Sequence, residues 1–79
     1  MNTVQEQWQI FEALVVPKNA PPVQRQEMRR AFYAGAEAMM RIQWNIGDSS
    51  VSEDAGIQIL EGCRDELKRF AQQVANNAA

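Results

Sequence analysis

Apolar residues recur at helical spacing in three stretches of the chain, and the middle stretch dominates. Between Pro22 and Ile46, the positions Met28, Phe32, Gly35, Met39, Ile42 and Ile46 alternate in steps of four and three, which draws one face of a long helix. A second stripe, Tyr33, Met40 and Trp44, lies roughly 140° around the same axis at about 100° per residue. One face can fill the core of a single chain. The other asks for a partner, whether another copy, another protein or a ligand.

Upstream, Thr3 and Glu6 have the spacing of a capping box, and Val4, Trp8, Phe11 and either Leu14 or Val15 share a side behind it. The pattern predicts a first helix at about residues 3–14. In the segment from Val15 to Pro22, Pro17, Pro21 and Pro22 stop that helix and stiffen a loop with Lys18 and Asn19 at its tip. Pro22 suits the first turn of the next helix, predicted at 22–46. Gly47 offers that helix a left-handed cap, followed by turn chemistry in Asp48, Ser49 and Ser50.

A third helix is predicted at about 51–74, capped by Ser50 or Ser52, with Asn76 to Ala79 as a fraying tail. Its seam is Gly56, Leu60, Cys63, Leu67, Phe70 and Val74. A short turn implies an antiparallel hairpin. Ile42 would then face Gly56, Met39 would face Leu60 and Ile59, and Gly35 would face Cys63. Phe32 would meet Leu67, and Met28 would meet Phe70. In this reading Gly35 and Gly56 serve close helix approach, which offsets the ~1 kcal/mol that an interior glycine costs against alanine. The expected architecture is therefore all-α: one domain over residues 1–79, a long helical hairpin with a short N-terminal helix across it. Self-association is expected too.

Composition narrows the function. A chain of 79 residues is in the range where one core is marginal and oligomerisation supplies missing burial. Its 46% hydrophobic and 23% charged residues are ordinary for a folded domain. A net charge of −2 with both signs interleaved speaks against a DNA or RNA binder. The apolar runs are far too short to span a membrane, and the N-terminus lacks a signal-peptide layout. One cysteine allows no intrachain disulfide, so a reducing, cytoplasmic setting is expected.

Catalytic chemistry is poorly served. The sequence has no histidine. Cys63 lies on an apolar seam, and the serines lie in a cap cluster with no base nearby. Glu53–Asp54 and Asp65–Glu66 are sequence neighbours, so each pair diverges around a helix. The glycines form no phosphate-cradling loop. Neither an enzyme nor a metal or cofactor is expected.

A binding surface remains. Gln26, Arg30, Tyr33, Glu37, Met40, Arg41 and Trp44 share the back of the central helix, with Glu37 and Arg41 spaced as an ion pair. Three readings stay open for its aromatic stripe. Trp8 and Phe11 of the first helix could cover it. It could be a homo-oligomer interface, given its aromatic, Met and Arg content. Or Arg29, Arg30 and Tyr33, with Lys18 across the loop, could take a small nucleotide, because guanidinium groups bind phosphate oxygens and aromatic faces stack on bases.

The segment RRAFYAGAEAMMRI followed by SVSEDAGIQILEGCRDELKRFA resembles small phage and prophage proteins, with Ala31 to Ala36 the most distinctive piece. More remotely, the layout is similar to the phage anti-CBASS cyclic-nucleotide sponges: a short N-terminal segment, a helix, then a Ser-Glu-capped final helix. The resemblance implies a phage anti-defence protein of the host cytoplasm that oligomerises and sequesters an immune second messenger without cleaving it. In that family a tyrosine and a lysine line the pocket at protomer junctions, for which Tyr33 and Lys18 are the matches in type. The family's invariant stretch in the last helix is absent here. Trp8, Phe11, Lys18, Arg29, Arg30, Tyr33 and Trp44 are accordingly the candidate ligand-binding residues. The competing reading is an inhibitor that docks its Tyr33, Met40 and Trp44 face onto a host protein.

Overall fold

The computed structural model describes residues 2–79. Among these are three helices and no strand: α1 (Val4–Val15), α2 (Pro22–Ile46) and α3 (Glu53–Ala75). The helical class and the number of helices agree with the sequence pattern. The chain divides into two compact units, Met1–Ile42 and Gln43–Ala79, with the division inside α2.

In the first unit, α1 opens on a reciprocal cap. Thr3 Oγ1 accepts the Glu6 N–H at 3.1 Å and donates to Glu6 Oε1 at 3.0 Å, while the Asn2 N–H reaches the same oxygen at 3.3 Å. These orphan groups of the first turn are thereby satisfied locally. The Thr3 hydroxyl, above all, holds the Glu6 carboxyl below its ordinary value of 4.5. A depressed folded-state pKa means the cap stabilises fully above that ordinary value and fades as pH falls through the lowered one. We expect α1 helicity to decline at the acid end of a circular-dichroism titration and Glu6→Gln to flatten that limb. An unchanged acid limb in the variant would contradict the cap's role.

Among its described residues the first unit buries two hydrophobic ones, Trp8 at 5% exposure and Val16 at 6%. Trp8 and Phe11 stand one turn apart on α1 and close on Phe32 of α2, with ring centroids 5.6 Å and 5.3 Å from the Phe32 ring. The Trp8 and Phe32 planes meet edge-on at 62°, the arrangement that ring quadrupoles favour. This settles which of the two α2 stripes α1 covers. It is the Phe32 stripe.

One ionic feature links α1, the proline loop and α2. Arg25 donates through Nη1 to Glu12 Oε2 at 2.8 Å and through Nη2 to the Pro17 carbonyl at 3.1 Å. The loop turns at Lys18 and Asn19, closed by the Ala20 N–H on the Pro17 carbonyl at 3.0 Å. Pro22 starts α2, and the Pro21 carbonyl accepts the Arg25 N–H at 3.1 Å. Both side chains of the Arg25–Glu12 pair are about one-third exposed, so solvent screens part of the attraction. Arg25→Ala is expected to destabilise the first unit by about 1 kcal/mol. Thermal denaturation reads this directly, and an unchanged midpoint would contradict it.

In the second unit, α2 ends without the left-handed glycine expected from Gly47, since no glycine has positive φ among the described residues. The Gly47 N–H still bonds the Gln43 carbonyl at 3.1 Å, and the Asp48 N–H tightens onto Asn45 at 3.2 Å. Asp48 then makes the turn itself, its Oδ1 accepting the Ser50 N–H at 2.8 Å. That hydrogen bond holds the Asp48 carboxyl below its ordinary 3.8. A last turn closed in this way satisfies the Gln43 and Asn45 carbonyls with no residue in the left-handed region. Ser52, of the two candidate serines, caps α3, accepting the Ala55 N–H at 3.1 Å.

Gly56 is buried, and a Cβ built on it would lie 2.5 Å from Ile46 Cγ2. A close approach is present at this glycine, with Ile46 seated on it. Within the first unit nothing stands within 4 Å of a Cβ built on Gly35, so no neighbour there accounts for that glycine. Nor does any neighbour within 4 Å account for Gly62.

At the end of α3 the residues expected to form the tail make a helix stop. Asn77 sits at φ 55°, its N–H bonds the Val74 carbonyl at 3.1 Å, and the Ala78 N–H bonds Gln73 at 2.7 Å. This is a Schellman motif with asparagine in the place glycine usually takes. Asparagine tolerates the left-handed region better than other residues with a side chain.

Candidate functional site

Arg29, Arg30 and Tyr33 fall on one side of α2 because steps of three and four return a helix to the same face. Together with Gln26 they line a shallow depression of about 250 Å³. The Arg29 guanidinium carbon lies 5.4 Å from the centre of the Tyr33 ring, within cation–π range. Arg30 Nη1 donates to Glu27 Oε1 at 2.9 Å, one turn back. Both partners are well exposed, so this pair is worth little and a phosphate could compete for the guanidinium.

Tyr33 is half-buried, and its position is inherited from the core. Its ring meets Phe32 edge-on, with centroids 6.3 Å apart and planes at 67°. Phe32 in turn is held by Trp8 and Phe11. The chain of rings thus runs from the buried indole to a phenol at the surface. Of the candidate residues, Trp8 and Phe11 stand behind the depression as its support, and Trp8 offers almost no face to solvent.

Lys18 is placed elsewhere in the first unit. It borders a separate depression of about 480 Å³, with Gln9, Glu12, Val16 and Arg25 among its lining. The structure therefore brings Arg29, Arg30 and Tyr33 together and leaves Lys18 apart from them. Trp44 belongs to the second unit and is 72% exposed. Gln26, which the sequence places on the same helix face, adds an amide to the Tyr33 depression. The expected Glu37–Arg41 pair is formed, at 2.7 Å, on an exposed surface.

Chemically, the Tyr33 depression offers a flat π-face, two guanidinium groups and an amide, which suit a planar ring and an adjacent anion. Its volume is below the ~300–1,000 Å³ typical of complete small-molecule pockets, so it would contact only part of a nucleotide-sized ligand. Among the described residues, no three His, Cys, Asp or Glu side chains gather as a metal site. No described helix is long and apolar enough to cross a membrane. No protein family, curated protein or solved structure matches the chain.

Proposed function

We propose that this is a phage-encoded anti-defence protein that binds and holds a nucleotide-derived immune second messenger, of the cyclic oligonucleotide or cyclic ADP-ribose type, and does not cleave it. The observation that carries the reading is the Arg29 guanidinium over the Tyr33 ring, with Arg30 beside it in an open depression. Stacking on an aromatic face and charge-assisted bonds to phosphate are the two interactions such a ligand needs. The resemblance of the Ala31–Ala36 region to small phage and prophage proteins, and of the helix layout to phage sponges, points the same way. The incomplete volume of the depression favours a homo-oligomer in which a second copy adds the missing wall. The setting is the host cytoplasm, with neither nucleic acid nor membrane as partner.

Incubation with cyclic dinucleotides, cyclic trinucleotides and cyclic ADP-ribose isomers, followed by heat denaturation, should return a bound ligand chemically intact. Recovery of a cleaved product would overturn sequestration. Absence of depletion for every ligand would overturn the reading as a whole.

A second reading is favoured by the exposure of Trp44 and of Met40. Large apolar side chains open to solvent, with arginine nearby in sequence, have the composition of protein-contact hot spots. The protein would then inhibit a host defence or regulatory protein by direct contact. A stoichiometric partner retained by the wild type and lost on Trp44→Ala supports this reading over the sponge.

A further inference from the structure

The Tyr33 depression is laid out as a fork along α2. At 100° per residue, Tyr33 falls within roughly 20° of the line through Gln26, while Arg29 and Arg30 fall roughly 60° to one side and roughly 40° to the other. Along the axis, Gln26 and Tyr33 stand about 10 Å apart at 1.5 Å per residue, with both arginines in the turns between them. A ring stacked on Tyr33 thus sets its neighbouring phosphate between two guanidinium groups. A phosphate diester has two unesterified oxygens, one for each.

The two arginines are not equivalent. Arg29 lies with its Cζ 5.4 Å from the centre of the Tyr33 ring and has no ion pair among the described residues. Arg30 is already held by Glu27 at 2.9 Å. Two guanidinium groups against one carboxylate leave a single positive charge at the site. Nearby charges are matched among themselves or placed elsewhere. Glu37, one turn beyond Tyr33, pairs with Arg41, Arg25 pairs with Glu12, and Lys18 borders the other depression.

We propose that Glu27 is a specificity-determining residue, which fits the depression to a singly charged phosphate diester and disfavours a terminal phosphate or a pyrophosphate. The inference rests on the nucleotide reading above and deepens it. A terminal phosphate carries about −1.5 to −2 at neutral pH, and a pyrophosphate sets two charges side by side. A diester carries one and matches the charge of the site. The additional charge of the others has no counterpart and meets the Glu27 carboxylate across Arg30. Displacing Glu27 from Arg30 does not relieve this, because the carboxylate stays one turn away on the same helix. Discrimination of this kind needs a repulsive element as well as attractive ones. Nucleoside mono-, di- and triphosphates all end in a terminal phosphate, so one carboxylate disfavours all of them together.

Calorimetric titration of the full chain tests this. The probes are cyclic di- and trinucleotides, and the linear 5′-phosphorylated oligonucleotides left when water opens one diester of each ring. The readout is the ratio of the two affinities in the wild type, Glu27→Gln and Glu27→Asp. The Glu27 side chain is 60% exposed, so both changes leave the fold in place. The wild type should favour the cyclic form. Glu27→Gln should lower the ratio roughly threefold to fivefold, the size of one exposed charge pair, by tightening the linear ligand more than the cyclic one. Glu27→Asp keeps the charge and should keep the wild-type preference. A wild type that favours the linear form, an unchanged ratio in Glu27→Gln, or an equal fall in Glu27→Asp overturns the proposal. Wild-type binding confined to cyclic ADP-ribose isomers, which carry a pyrophosphate, also overturns it and leaves sequestration standing. Absence of binding for every probe overturns the nucleotide reading itself, and the role of Glu27 with it.

Discussion

Trp8→Ala is expected to remove about 3–5 kcal/mol, the range for emptying a well-packed aromatic site. Few domains of this size have that much to spare. Trp8 is one of the two buried hydrophobic residues among those described in the first unit, and it touches both Phe11 and Phe32. Its loss strands Phe32 and, through Phe32, the ring of Tyr33. Val16, the other buried residue, caps the C-terminus of α1 and has no aromatic surface to substitute. The variant should therefore melt at or near room temperature, with α1 detached. A Trp44→Phe background leaves Trp8 as the single indole and supplies a probe. Its emission should be blue-shifted in the folded protein and move to the red on melting. A Trp8→Ala variant that melts within a few degrees of wild type would contradict the described core.

The second large effect is expected at Gly56. A Cβ at this position would stand 2.5 Å from Ile46 Cγ2, a distance that real contacts do not reach. The obstructing methyl is attached directly to a β-branched carbon, whose rotamer is stiff in a helix, so it has little freedom to withdraw. Alanine would gain up to ~1 kcal/mol of helix propensity and lose about 1–3 kcal/mol to overpacking. A net loss is expected for Gly56→Ala and a larger one for Gly56→Leu. Adding Ile46→Ala to Gly56→Ala should recover part of it, because the clash then has no second member. Gly62→Ala is the control: no atom lies within 4 Å of that Cβ, and the change should stabilise α3 slightly. If Gly56→Ala behaves like Gly62→Ala, Ile46 does not press on Gly56.

Much of the local structure was legible in the chain. Thr3 and Glu6 carry a cap that follows from their chemistry and spacing alone, and Ser52 follows the same logic. A close approach at Gly56 was legible in kind, and Ile46 makes one. What could not be read was which of two stripes on α2 the first helix would take. Phe32 and Tyr33 both offered an aromatic ring. Burial favours the ring without a hydroxyl, because a buried phenol needs a hydrogen-bond partner and Phe32 does not. The bridge from Arg25 to Glu12 and Pro17 joins residues far apart in sequence, so no helical spacing announces it. Asn77 was unreadable for a different reason: the sequence marks glycine as the usual left-handed stop, yet Gly47 does not adopt that backbone and Asn77 does.

The candidate site followed the same division. Arg29, Arg30 and Tyr33 are neighbours by helix geometry, and they line one depression. Lys18 was linked to them only by being close along the chain, and the turn at Pro17–Ala20 points it toward a different one. Trp8 and Phe11 bear on the surface through the rings they support.

The central claim is that the Arg29–Tyr33 face of α2 takes a nucleotide. Calorimetric titration of the wild type and of Tyr33→Ala with cyclic dinucleotides, cyclic trinucleotides and cyclic ADP-ribose isomers tests it most directly. The account predicts saturable binding of at least one of these by the wild type. It also predicts affinity weakened about 10- to 100-fold in the variant, as expected for the loss of one stacked base. No heat with any ligand, or equal affinity in the two proteins, would contradict it.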